Sequence, residues 1–233
     1  MLLNFIKPTS GTITWNDQQI TQNDKQRIGF LPEERGLYQK RTVEEQILYF
    51  AELHGMKRSD ARVALKDWMK RLDVVGKVSD KVQSLSKGNA QKVQMIASLI
   101  FEPSLLILDE PFSGLDPVNT SLMMDEIIRL RDNGAMIIFS SHDMNNVTKI
   151  SDDLTMLKRG KIVLQGPVQN IREQFGRTRV YVESSTSSAA LKAIDGVASV
   201  TPHGVGYDLI LSEEEAGHRV FALVTKNGYI PAF

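Results

Sequence analysis

Two adjacent acids, Asp109 and Glu110, close the apolar run LLIL at 105–108, and His142 follows a second apolar run, MIIF at 136–139, after two serines. At the end of a buried strand, a first carboxylate can hold Mg²⁺ directly or through water, and a second can polarise an attacking water. A neutral imidazole beside them could hydrogen-bond a terminal phosphate and keep that water oriented; the neutral form is common near pH 7. A fourth piece is LSKGN at 85–89, where Ser86 opens a predicted helix. Backbone N–H groups and the positive end of the helix dipole would there face an anion, with Ser86 adding a hydroxyl donor and Gly88 permitting close approach. Between them lies SGLD at 113–116, whose Asp116 can cap the helix that Pro117 begins.

Each motif alone has an ordinary structural explanation. A buried strand can end in two solvated acids, SGLDP can be a loop and a cap, and a histidine after an apolar strand can be structural. Their order and spacing make coincidence improbable, and the set reads as half of a phosphate-transfer site. The other half is not in these residues: no G-x-x-x-x-G-K-[ST] phosphate loop occurs in the sequence.

With 233 residues, 42% of them hydrophobic and 24% charged, the chain has room for one large domain or one medium and one small. Lys plus Arg equals Asp plus Glu at 28 each, so no net positive field attracts nucleic acid, and no nucleic-acid partner is expected. The absence of cysteine excludes disulfides and thiol catalysis. The most apolar stretch, 96–108, is broken by Glu102 and Pro103 well short of the ~20 residues that a membrane span requires, and no secretory signal is visible. The expectation is a soluble chain inside the cell.

The elements that must position these residues follow from periodicity. Residues 12–15 and 28–31 read as strands, the second closed by Pro32. Thr42 and Glu45 form a capping box for a helix that Gly55 stops, and a second helix from Ser59 carries Ala61, Leu65, Trp68, Met69 and Leu72 on one stripe. Residues 42–85 therefore look like a helical insert. From Ser86 onward helices alternate with LLIL and MIIF, which read as central parallel strands covered on both faces. LTML, the turn KRGK and IVLQG read as a hairpin closing the main domain near Gly166–Pro167, followed by strands at 179–183 and 207–211 and helices at 189–194 and 213–226.

On these motifs the chain resembles the ATP-binding subunit of an ATP-binding cassette (ABC) transporter over about residues 1–169. LSKGN is similar to the signature motif, LLILDE to Walker B, SGLD to the D-loop and His142 to the switch histidine. LSKGN in place of LSGGQ, together with GFLPEERGLY from Gly29, resembles the ABC-2 type exporters related to sodium-extrusion ATPase subunits. The resemblance implies an α/β, P-loop NTPase-like cassette at 1–168 with a helical signature subdomain, and a small C-terminal α+β accessory domain at 169–233. It implies an ATPase using ATP and Mg²⁺, with Glu110 and His142 catalytic, and Asp109 and Glu33 at the metal. Glu33 stands where most cassettes carry the Q-loop glutamine. Ser86, Lys87, Gly88, Asn89, Asp116 and Glu33 would contact the nucleotide.

Two such domains are implied to dimerise head to tail, so that each signature closes over the partner's ATP. A membrane permease subunit would carry the pair at the cytoplasmic face of the cell membrane, with Leu37, Tyr38 and the Phe50 helix as candidate contacts. MLLNFIKPTSG is similar to the segment that follows Walker A, so the expectation is a chain that begins just after its phosphate grip, binds ATP poorly alone and is less stable for the missing strand. The alternative is a catalytically silent subunit lending only its signature face. A cassette of DNA repair or translation is disfavoured, because no long coiled-coil insertion is present.

Overall fold

The computed structural model describes residues 1–3, 5–15, 17–34, 36–174 and 178–226, which fall into two units, Met1–Ile150 and Ser151–Phe233. The N-terminal unit begins with a two-stranded antiparallel pair, β1 (Thr14–Trp15) and β2 (Gln18–Gln19), and a single helical turn, α1 (Gln22–Lys25), capped reciprocally by Thr21 and Asp24. Strand β3 (Ile28–Leu31) follows, then helices α2 (Val43–Leu53), α3 (Arg58–Arg71) and α4 (Lys87–Leu99). Strand β4 (Leu105–Asp109), helix α5 (Pro117–Asp132), strand β5 (Met136–Ser140) and helix α6 (Met144–Ile150) complete it.

The helical insert forms for local reasons. Thr42 Oγ1 accepts the Glu45 N–H at 3.1 Å while the Glu45 carboxylate accepts the Thr42 N–H at 3.0 Å, which satisfies two orphan donors at the start of α2. Val43, Ile47, Leu48 and Ala51 bury one face of α2, and Gly55, at φ +83°, ends it. Ala61, Leu65, Trp68 and Met69 bury the matching stripe of α3, with Leu72 at its C-cap. Entry and exit of the insert are laced together: Val43 and Glu44 donate to the carbonyls of Asp80 and Val78, and Val82 and Gln83 donate to those of Arg41 and Gln39.

Strands β3, β4 and β5 form a parallel sheet in that order, with Leu31, Leu108 and Phe139 side by side. Leu31, Leu106 and Leu108 point into a core shared with Val93, Ile96 and Leu99 of α4 and Met123 and Ile127 of α5. Backbone approach between α4 and β3 is close, because a Cβ on Gly29 would stand 2.4 Å from the Ser98 carbonyl oxygen. The opposite face is open. Phe30 is 37% exposed, Met136 43% and Ile138 48%, and β5, like β3, is an edge strand among the described residues. This corrects the expectation that MIIF is covered on both faces: its alternate residues face the core, and an apolar run alone does not report which neighbours are present.

The C-terminal unit opens with a hairpin, β6 (Asp153–Lys158) and β7 (Lys161–Pro167), turning through Arg159 and Gly160, both at positive φ, as a two-residue hairpin turn requires. After α7 (Val168–Gln174) come β8 (Arg179–Val182), α8 (Ser188–Lys192), β9 (Val197–His203), β10 (Gly206–Leu211) and α9 (Glu215–Val224). The sheet is antiparallel in the order β8-β10-β9, around Val182, Leu191, Leu209, Leu211, Ala216 and Val220. Its α+β character follows the sequence expectation, with β9 and α7 added. By contacts the β6–β7 hairpin groups with this unit, whereas the sequence reading assigned it to the main domain.

Candidate functional site

The register of the parallel sheet decides what meets at its carboxyl edge. Because Leu31, Leu108 and Phe139 are aligned, the loop carrying Glu33, the acids Asp109 and Glu110, and the segment Ser140 to His142 leave the sheet together. Ser140 Oγ donates to Asp109 Oδ1 across the ladder. The Glu110 N–H donates to the Ser140 carbonyl at 3.2 Å, and Glu110 Oε1 lies 2.9 Å from His142 Nδ1. Glu110 adopts φ +46°, which turns its side chain out of the strand direction toward the histidine.

His142 is 84% exposed at its side chain and Glu110 only 18%. The hydrogen bond and the charge of Glu110 raise the imidazole pKa above its ordinary value, with smaller contributions from Asp143 and Glu33. The carboxylate thus stabilises the protonated imidazole relative to a free one, an influence that the sequence alone does not show. Glu33 is exposed on the loop after β3, and its influence on His142 puts it in this same neighbourhood.

A second group of side chains lies at the N-terminus of α4. Ser86 is its N-cap and accepts the Asn89 N–H at 3.3 Å and Asn89 Nδ2–H at 3.1 Å. Asn89 Oδ1 in turn accepts the Val75 N–H at 3.0 Å, so the amide is engaged within the chain. Lys87 lies against Gly114 of SGLD, where an added Cβ would meet its Nζ, and Gly88 faces Asn119 and Leu115. Asp116 caps α5 by accepting the Asn119 N–H at 2.9 Å, and that bond holds its carboxyl below the usual range. Signature and SGLD segments are thus neighbours, with Ser86, Lys87 and Asp116 exposed.

Sequence reasoning overlooked the residues that join the two groups. Gln91 and Gln94 on α4 are buried, at 6% and 3% exposure. Gln91 Nε2 donates to the Pro111 carbonyl at 3.3 Å, and Gln94 Nε2 donates to the carbonyls of Pro32 at 3.1 Å and Glu34 at 3.2 Å. Buried Gln46 on α2 pins Tyr38 by two bonds, accepting its N–H at 2.7 Å and donating to its carbonyl at 3.0 Å. Three glutamines among apolar helix positions were the available signal, because buried amides must find partners.

Of the candidate permease contacts, Tyr38 is 66% exposed, Phe50 packs half-buried against the core, and Leu37 is core at 7%. Leu37 fills the base of the loop and is not a surface contact. Among the described residues, no helix is long and apolar enough to cross a membrane.

A parallel sheet with acids at its carboxyl edge, and a helical insert leading to an anion-ready helix N-terminus, is the architecture of an α/β nucleotide-handling cassette. Comparison with known proteins makes this specific. The family described as ABC transporter matches residues 1–113, and that described as ATP-binding protein DrrA1-3-like, C-terminal domain, matches residues 166–233. The uncharacterized ABC transporter ATP-binding protein YhaQ of Bacillus subtilis is 38% identical over 233 residues, covering 100% of this chain and 78% of that protein. The ABC transporter ATP-binding protein NatA of the same organism is 31% identical over 177 residues, covering 74% of this chain and 72% of NatA. A solved structure described as the ATP binding subunit of an ABC transporter aligns with TM-score 0.68 at 26% identity, covering 75% of this chain and 74% of that one. The chain belongs to the ABC transporter ATP-binding protein family, a family of nucleotide-binding ATPases.

Proposed function

We propose that this chain is the energy-coupling ATPase subunit of an exporter, working head to tail with a second cassette and bound to an ABC-2 type permease at the cytoplasmic face of the membrane. Its cassette would span 1–168 and its accessory domain 169–233. The observation that carries the reading is the Glu110–His142 pair at 2.9 Å beside Asp109, at the edge where ligands bind in open α/β sheets.

In hydrolysis, a water oxygen bonds to the γ-phosphorus, the bond from that phosphorus to the bridging oxygen breaks, and ADP and phosphate leave. Glu110 orients the water and accepts its proton. His142, held by Glu110, donates a hydrogen bond to the γ-phosphate. Asp109 and Glu33 would hold the Mg²⁺, since a phosphate-bound Mg²⁺ needs only one or two protein carboxylates. The ion would neutralise charge on the β- and γ-phosphate oxygens. Ser86, Lys87, Gly88 and Asn89 face the partner's nucleotide, with Asp116 fixing the adjoining loop. The family match of residues 166–233 and the likeness to NatA support the exporter subgroup.

The second reading is a silent subunit lending only its signature face, and the observation behind it is Ser86, exposed at the N-cap of α4 with Gly88 beside it. MgATP binding and hydrolysis, measured on this chain and on a form extended upstream with a phosphate loop, separate the two. Turnover in either form, lost in Glu110→Gln with binding kept, supports the ATPase; turnover untouched by Glu110→Gln but lost in Ser86→Arg with a partner cassette supports the silent subunit.

A further inference from the structure

We infer that Gln94 is a positioning residue for Glu33, tying the metal-side loop to the signature helix; this rests on the proposed role of Glu33. A primary amide has two N–H donors. Gln94 spends both on the carbonyls of Pro32 and Glu34, the two that bracket Glu33 in sequence. Its Oε1 has no hydrogen-bond partner among the described residues. A side chain present only to fill the core at this position would be apolar, as Val93, Met95 and Ile96 around it are. The amide is therefore kept for its donors, and their target is the backbone on either side of one exposed carboxylate.

The same helix holds the other proposed acid. Gln91, three residues earlier, bonds the carbonyl of Pro111, the residue after Glu110. Helix α4 thus carries Ser86 at its N-terminus and fixes the loops of Glu33 and Glu110 along its length, a span of about 20 Å for 13 residues. A shift of the signature end is transmitted to Glu33 through Gln94.

Two readouts test this. The chain has no cysteine, so Glu33→Cys gives a single site for a nitroxide, whose mobility is read by electron paramagnetic resonance. Gln94→Met, which keeps the volume and removes the donors, should free the label; Gln94→Asn, which keeps the donors but is too short to reach, should do the same. With Glu33 intact, and in whichever form of the chain hydrolyses ATP, Gln94→Met should raise the half-saturating Mg²⁺ by about 10–100-fold, with kcat at saturating Mg²⁺ changing far less. Ser98→Ala is the control: Ser98 Oγ donates to the Phe30 carbonyl within β3 at 2.8 Å and to the Gln94 backbone carbonyl at 3.3 Å, neither of them the side-chain amide that holds the loop, and its loss should leave the Mg²⁺ requirement in place. A label equally immobile in the parent and both Gln94 variants overturns the inference, as does an equal Mg²⁺ shift in Ser98→Ala. If no form hydrolyses ATP, the proposed function fails, while the label at position 33 still decides the role of Gln94.

Discussion

His142 Nδ1 and Glu110 Oε1 stand 2.9 Å apart, so the residues leaving two adjacent strands act as one unit. Glu110→Gln removes the charge that raises the imidazole pKa and leaves at most a neutral, weaker hydrogen bond in its place. In a proton NMR titration, His142 should fall from a value above the ordinary one toward about 6.5. A raised histidine contributes stability that is full below its unfolded pKa and is lost as pH rises through its folded pKa. Glu110→Gln should therefore lower the denaturant midpoint at pH 6 relative to pH 8. An unchanged histidine titration would dissolve the pair.

The acid limb of stability rests on caps. Hydrogen bonds from the Asn119 and Thr42 backbone N–H groups lower the pKa of Asp116 and Glu45 respectively. A lowered carboxylate contributes stability that is present above its unfolded pKa and is lost as pH falls through the folded one. Asp116→Asn should keep the cap, since asparagine caps as well, yet flatten the fall in urea midpoint between pH 5 and about pH 3. An unaltered acid limb would rule the Asp116 cap out as a contributor.

Gly29→Ala tests the packing of α4 on β3. With the new methyl only 2.4 Å from a backbone oxygen, the helix must shift, at a cost of about 1–3 kcal/mol. Urea unfolding reads this directly; a loss below about 0.5 kcal/mol, the scale of an ordinary surface substitution, would mean that the contact is not maintained in solution.

If Tyr38 is the aromatic anchor of the proposed permease contact, Tyr38→Ala should weaken assembly with that subunit at least about tenfold. The Gln46 bonds hold the Tyr38 backbone and survive the substitution, so the thermal midpoint should stay. Co-purification from membranes with and without the substitution is the measurement, and equal recovery removes Tyr38 from the contact.

Much of the N-terminal unit was legible because its signals are local. The Thr42–Glu45 capping box, the α3 stripe and the Asp116–Pro117 helix start each depend on residues a few positions apart. What was missed depends on partners far along the chain. The exposure of Met136 and Ile138 is set by which strands lie beside them, and the clamp of Gln94 on Pro32 and Glu34 joins residues about sixty positions apart. The short helix α1 was also passed over, although Thr21 and Asp24 form the same box that gave away α2. At the candidate site, Asp109, Glu110 and His142 stand out by residue type and Glu33 only through the resemblance, but the Ser140 bond to Asp109 and the charge of Glu110 on His142 needed the sheet register.

The left-handed backbone at Glu110, φ +46°, costs a residue with a Cβ about 1–2 kcal/mol, and glycine or asparagine would sit there more easily. Selection for resistance to unfolding alone would discard the glutamate. At pH 8, where the pairing with His142 adds little, Glu110→Asn should make the chain harder to denature as it is disarmed, so a library screened only on thermal tolerance at that pH would drift away from the carboxylate that the proposed reaction depends on.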